Sequence, residues 1–151
     1  MFLPDYKYSI WVDGSVVIKT ENFYNLARYI LKNNEMAFLK HPDRNCIYEE
    51  MKICIEPQKD DQKIITQQIK GCKREGYPEK NGLIAGGIIF RRNKSQKVKI
   101  INEEWWREIK QKSLRDQLSF NYVAWKNNFK YFEIKEYLRD NPYFKVNNHN
   151  K

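Results

Sequence analysis

Short apolar runs with strand character alternate with amphipathic helical stretches along most of the chain. The runs predicted to be strands are residues 8–12, 16–18, 36–39, 82–90 and 97–101. Between them, residues 21–33, 46–56 and 60–76 carry apolar side chains at the three- and four-residue spacing of helices. This alternation predicts an α/β fold with a mixed, mainly parallel sheet flanked by helices.

Two further helices are predicted in the second half, one capped by Asn102 and one beginning at Ser113. The later helix would bury Leu114, Leu118 and Val123. After Trp125 the periodicity weakens, and residues 127–151 are predicted to be an extension, with residues 141–151 as an extended or frayed tail.

The length of 151 residues fits one domain with its own core. No apolar run approaches the roughly 20 residues that a membrane span needs, and the N-terminus lacks the pattern of a signal peptide. The sequence therefore predicts a soluble, cytoplasmic protein. Cys46, Cys54 and Cys72 form no CxxC pair, so we expect reduced thiols rather than disulfides or a zinc site.

The chain is basic, with 28 Lys and Arg against 19 Asp and Glu, a formal charge of +9. Such a surface favours anionic partners, which include nucleic acid, phosphorylated small molecules and acidic lipid. A solvated lysine surface explains the same charge without any partner. No zinc-finger spacing or RNP-like aromatic motif supports nucleic-acid binding, so we expect none.

Asp13 follows the first apolar run and precedes a glycine. In parallel sheets ligands collect at the carboxyl ends of strands, and Mg²⁺ or Mn²⁺ binds through one or two carboxylates together with substrate phosphates. The alternative is an Asx-turn, in which the Asp13 side chain accepts a hydrogen bond from the Ser15 amide.

Two other places carry candidate binding groups. Lys40, His41 and Arg44 follow a predicted strand and can bind a diphosphate or an acceptor, or they can form an ordinary surface loop. Gly86 and Gly87 weaken a strand unless something approaches its backbone, which can be a ligand or simply a packed neighbour.

Asp116 and Gln117 lie near the predicted start of a late helix. Asp116 can orient a sugar hydroxyl or act as a base, or Ser113 and Asp116 can form a capping box. Of the adjacent Trp105 and Trp106, at most one is expected to stack on a ligand, because neighbouring helical positions point about 100° apart.

Four stretches carry a resemblance to a known family: YSIWVDGSV, FLKHPDRNCIYEEM, EGYPEKNGLIAGGIIFRRN and WWREIKQKSLRDQLSFNYVAW. The sequence resembles the glycosyltransferase-like family first catalogued as a domain of unknown function, with members in plant Golgi proteins of pollen and mucilage and in bacterial surface-polysaccharide loci. The resemblance spans roughly residues 8–125.

The resemblance implies a GT-A type domain that transfers a hexose from a nucleotide-diphosphate sugar to a cell-surface glycan, with Mn²⁺ or Mg²⁺. It implies that Asp13 is the metal ligand, within a degenerate DxD motif, and that His149 is a second ligand. It further implies that Asp116 and Gln117 are catalytic. The predicted substrate-binding residues are Lys40, His41, Arg44, Gly86, Gly87 and Trp105.

Only twelve residues precede Asp13, whereas the resemblance implies a nucleoside-binding region ahead of the metal motif. Residues 1–126 are therefore expected to be the C-terminal part of such a domain. Self-association, or a separate nucleotide-binding half, would then cover the sheet. The alternative function is a catalytically inactive fragment that binds a glycan or a partner protein.

Overall fold

The chain forms a mixed α/β structure, described by a computed structural model of residues 3, 5–55, 60–134 and 140–147. The strands within these residues are β1 (Tyr8–Val12), β2 (Val16–Ile18), β3 (Met36–Lys40), β4 (Ile84–Arg92), β5 (Phe132–Ile134) and β6 (Phe144–Val146). The helices are α1 (Asn22–Leu31), α2 (Ile47–Ile55), α3 (Gln62–Arg74), α4 (Gln96–Gln111) and α5 (Phe120–Lys126). A single 3₁₀ turn, Asp116–Leu118, lies between α4 and α5.

The strands form a four-stranded sheet in the order β1-β4-β3-β5 and a two-stranded sheet of β2 and β6. β1 is antiparallel to β4, β2 is antiparallel to β6, and β3 is parallel to β5. The mixed sheet was predicted correctly, but the mainly parallel arrangement was wrong, because the sheets are mostly antiparallel. An apolar run predicts that a strand exists, whereas its direction depends on pairings between residues far apart in the chain.

The predicted strand at residues 97–101 is wrong, because these residues lie in α4. Val98, Ile101 and Trp105 are all buried at three- and four-residue spacing, which is the pattern of one helix face. The Ser95 hydroxyl accepts a hydrogen bond from the Val98 amide at 3.3 Å, so this helix is capped at Ser95. The predicted cap, Asn102, lies inside the helix instead.

The predicted start of the next helix, at Ser113, is also wrong. The chain forms the 3₁₀ turn first, and α5 begins only at Phe120. Leu118 and Val123 are buried as predicted, but Leu114 is 71% exposed. Part of the predicted tail forms β6, which pairs with β2.

The chain divides into two compact units. The first comprises Met1–Pro42, Ala85–Lys99 and Lys130–Lys151. In its core α1 packs against β1 and β3, and the buried side chains include Phe23, Leu31, Leu39, Ile88, Phe90 and Phe144.

The second unit comprises Asp43–Ile84 and Ile100–Phe129. α2 packs against α3 and the 3₁₀ turn, with Cys54, Ile65 and Leu118 buried together. The side chains of Cys46, Cys54 and Cys72 are all buried, and none of the three forms a disulfide. No helix within the described residues is long and apolar enough to cross a membrane.

Candidate functional site

In the first unit, Asp13 follows β1 directly and its side chain closes a tight turn. Asp13 Oδ1 accepts hydrogen bonds from the Ser15 amide at 2.9 Å and from the Ser15 hydroxyl at 2.6 Å. The Asp13 amide donates to the Gly87 carbonyl at 2.9 Å, which extends the β1–β4 ladder by one residue. The Asx-turn is confirmed, and two predicted site residues, Asp13 and Gly87, are neighbours across the ladder.

The glycine at position 87 is not required by local packing. The glycines with positive φ are Gly76 and Gly82, so β4 contains no glycine of this kind. A Cβ built on Gly87 would lie 3.8 Å from Val16 Cγ2, which is an ordinary van der Waals distance. Approach of a ligand to the Gly86-Gly87 backbone therefore stays a prediction.

The predicted basic group around residue 40 is divided between the two units. Lys40 is the exposed last residue of β3, and His41 beside it is only 8% exposed. Arg44 belongs to the second unit, where its Nε lies 2.6 Å from Glu50 Oε2.

Glu50 explains why an arginine stands at position 44. Its side chain is buried, with 1% of the residue exposed, and its Oε1 accepts a weak hydrogen bond from Cys54 Sγ at 3.6 Å. A buried carboxylate without a cation is strongly destabilising. Arg44 thus has a structural role, and its predicted contact with a diphosphate stays a prediction.

In the second unit, residues 113–119 form a segment that polar side chains hold at both ends; we call it the RDQ segment. At its start, Asp60 Oδ2 accepts hydrogen bonds from the Ser113 hydroxyl at 2.7 Å and the Leu114 amide at 2.6 Å. Gln68, which is buried, spans the segment: its Oε1 accepts from the Ser113 amide at 3.1 Å, and its Nε2 lies 3.5 Å from the Leu118 carbonyl.

Trp105 supports the middle of the RDQ segment. Its Nε1 donates to the Asp116 carbonyl at 3.3 Å and to the Ser119 hydroxyl at 3.1 Å. Its ring packs edge-on against Phe120, with centroids 4.9 Å apart. Because Trp105 is 6% exposed and Trp106 is 61% exposed, Trp106 is the better placed of the two for stacking on a ligand.

The side chains of Asp116 and Gln117 are directed by local contacts. Asp116 Oδ1 accepts from the Gln117 amide at 2.9 Å, and Gln117 Nε2 donates to the Ile84 carbonyl at 3.2 Å. The Ile84 amide in turn donates to Asn121 Oδ1 at 3.1 Å. The first residue of β4 is thereby attached to the segment that carries both predicted catalytic residues.

Sequence reasoning missed Asp60, Gln68 and Arg115 as parts of this arrangement. The hydrogen bond from Ser113 lowers the pKa of Asp60, and the charge of Arg115 acts in the same direction, while partial burial opposes them. Arg115 Nε is buried and has no acceptor within the described residues. From the sequence, Asp60 could be interpreted only as part of a helix start. Its partner Ser113 is 53 residues away in the chain, and no local pattern predicts that contact.

Within the described residues, no group of three or more His, Cys, Asp or Glu side chains is placed to hold a metal ion. Asp13 offers one carboxylate, one oxygen of which already accepts two hydrogen bonds from Ser15. His149, the other predicted ligand, lies outside the described residues.

A family model described as TOD1/MUCI70, glycosyltransferase-like domain, matches residues 1–146. Neither a curated protein nor a solved structure matches the chain. The matched residues include Asp13, the end of β3, Gly86-Gly87 and the whole RDQ segment.

Proposed function

Because the chain belongs to the TOD1/MUCI70 family of glycosyltransferase-like domains, we propose that it transfers a hexose from a nucleotide-diphosphate sugar to a cell-surface glycan acceptor. The family supports a glycosyltransferase-like role with sugar and glycan partners in general terms. The donor, the acceptor and the residue roles are our proposal.

The support for an active site in this chain comes from the RDQ segment. Three side chains from distant positions, Asp60, Gln68 and Trp105, hydrogen-bond to this one short segment. Catalytic groups need such support, because small displacements of a reacting group are costly to the rate. The three contacts hold the backbone that carries Asp116 and Gln117.

In the proposed reaction, Asp116 orients a hydroxyl of the donor or the acceptor, or takes up its proton. Gln117 fixes the adjacent backbone through its bond to Ile84. Mn²⁺ or Mg²⁺ would offset part of the negative charge of the departing diphosphate when bound. The binding roles predicted for Asp13 and Lys40, which lie in the first unit, stay predictions.

The test is a calorimetric titration of the purified chain with UDP-hexoses, with and without Mn²⁺. We expect saturable binding to the wild type. Asp5→Asn, which changes an exposed carboxylate, should bind as the wild type does. If no UDP-hexose binds under either condition, while a glycan alone binds, the inactive binding module replaces the proposed enzyme.

A further inference from the structure

Arg115, in the middle of the RDQ segment, has a buried side-chain donor without a hydrogen-bond acceptor. Its Nε is buried without an acceptor, and within the described residues its side chain makes no hydrogen bond or ion pair. A guanidinium has five N–H donors, no acceptor, and a permanent charge. Leaving such a buried donor unpaired opposes folding, so a functional reason for this residue is to be expected.

The backbone of Arg115 is fixed. Its amide donates to the Ser113 hydroxyl at 3.1 Å, and its carbonyl accepts from the Leu118 amide at 3.0 Å. It directly precedes Asp116 and Gln117 in sequence. The unpaired donor therefore belongs to a well-positioned residue next to the proposed catalytic pair.

The nearby carboxylate does not satisfy Arg115. Asp60 feels the charge of Arg115, but its two oxygens already accept three hydrogen bonds. These come from the Ser113 hydroxyl, the Leu114 amide and the Asp61 amide, at 2.7, 2.6 and 2.8 Å. Asp60 therefore leaves Arg115 Nε without an acceptor, and the guanidinium can still bind another anion.

Arg92 provides a contrast within the same chain. Its Nε is also buried without an acceptor, but its Nη2 donates to the carbonyls of Leu31 and Lys32 at the end of α1. Arg92 thus has an evident structural role. Within the described residues, the Arg115 side chain has none.

We propose that Arg115 binds the diphosphate of the nucleotide-sugar donor, an assignment that rests on the proposed function. The planar guanidinium can donate two parallel hydrogen bonds to phosphate oxygens, which a lysine cannot reproduce. This assigns to Arg115 the contact that the sequence predicted for Arg44, whose Nε is engaged by Glu50.

The experiment measures the affinities of UDP-hexose and of inorganic pyrophosphate for four proteins by calorimetry at constant salt. They are the wild type, Arg115→Gln, Arg115→Lys and Arg107→Gln, the last removing the same charge from an exposed position of α4. Arg115→Gln should weaken both ligands by roughly tenfold to a hundredfold. Arg115→Lys should recover only part of this loss, and Arg107→Gln should stay within about twofold of the wild type.

Thermal unfolding without ligand separates a binding role from a structural one. Because Arg115 Nε has no acceptor in the free protein, Arg115→Gln should unfold at or near the temperature of the wild type. A large fall in that temperature together with unchanged ligand affinity would mean a structural arginine and would overturn the proposal.

The remaining outcomes distinguish this proposal from the proposed function. If UDP-hexose binds the wild type and Arg115→Gln equally well, the role of Arg115 is wrong and the function stands. If pyrophosphate binding depends on Arg115 but no UDP-hexose binds, the anion site stands and the function is wrong. If neither UDP-hexose nor pyrophosphate binds the wild type, the diphosphate assignment is wrong.

Discussion

Glu50 shows how a single buried charge determines the role of a neighbour that looks like a ligand-binding residue. In sequence, Arg44 belongs to a basic group after a strand, and nothing marks Glu50 as buried. In the structure Glu50 lies on the inward face of α2, and Arg44 neutralises it at 2.6 Å. The arginine therefore contributes to stability whether or not it also binds substrate.

Arg44→Met should lower the free energy of unfolding by about 3–5 kcal/mol, because it removes the cation that faces the buried Glu50 carboxylate. Lys126→Met removes a lysine from a more exposed pair with Glu75 and should cost at most about 1 kcal/mol. Urea denaturation of both variants measures the difference. Equal costs would show that the Arg44–Glu50 pair is not a buried structural pair.

Asp60 makes the free energy of unfolding depend on pH in the acidic range. Its pKa is lowered in the folded state, chiefly by the Ser113 hydroxyl. The ionised carboxylate therefore stabilises the fold above its unfolded pKa of about 3.9, and this contribution is lost as the pH falls through the folded value.

Asp60→Asn should accordingly lower the urea midpoint at pH 7 and have a smaller effect at pH 3. Asp5→Asn, at an exposed position, should change neither midpoint. An Asp60→Asn effect of the same size at both pH values would contradict the account of this carboxylate.

Substitution of Gly87 distinguishes a role of this glycine in packing from a role in ligand binding. A methyl group at this position would meet Val16 at 3.8 Å, and alanine is favoured over glycine in a strand by roughly 0.5–1 kcal/mol. Gly87→Ala should therefore keep or slightly raise the unfolding temperature.

If the donor lies against β4, the same variant should weaken UDP-hexose binding, whereas Gly14→Ala, whose new Cβ would have no atom within 4 Å, should not. Calorimetry measures the UDP-hexose affinity of both variants. Full affinity in Gly87→Ala would leave these glycines without a binding role.

At the scale of elements, α4 carries the support for the RDQ segment. Its length follows from the cap at Ser95 and the buried face that includes Val98, Ile101 and Trp105. The sequence predicted a strand at residues 97–101 here, followed by a helix capped by Asn102. Only the helical assignment places these three side chains on one face.

Trp105→Phe keeps the packing against Phe120 but removes the two indole hydrogen bonds to Asp116 and Ser119. We expect a loss of about 1–3 kcal/mol in unfolding free energy, with weaker donor binding as the segment loosens. Trp106→Phe, at the exposed neighbour, should stay within about 0.5 kcal/mol of the wild type. Urea denaturation measures both, and equal stability of the two variants would argue against the supporting role of Trp105.

Sequence patterns located most helices and strands, because burial on one face leaves a local period. β1 and β2 agree with the predicted bounds, β3 ends one residue later than predicted, and α2 begins one residue later. The support of the candidate site was not predictable in this way. Asp60, Gln68 and Trp105 reach the RDQ segment from separate parts of the chain, and such contacts leave no local pattern.

For the whole molecule, the strand order explains why a correct list of elements gave a partly wrong sheet. β2 is not part of the four-stranded sheet and pairs with β6 near the other end of the chain. Within the four-stranded sheet, β1 pairs antiparallel with β4. Neither pairing is a simple strand–helix–strand crossover, which is the connection that makes sheets parallel. The formal charge of +9 is consistent with the anionic donor proposed here.

The most direct test of the proposed enzyme is release of UDP from a labelled UDP-hexose, with transfer of the label to a mixture of cell-surface glycans. The wild type should transfer the label. Asp116→Asn, folded as judged by its unfolding temperature, should be slower by about a hundredfold or more, and Arg107→Gln should match the wild type. Equal rates for Asp116→Asn and the wild type, or no transfer by the wild type from any UDP-hexose, would contradict the account.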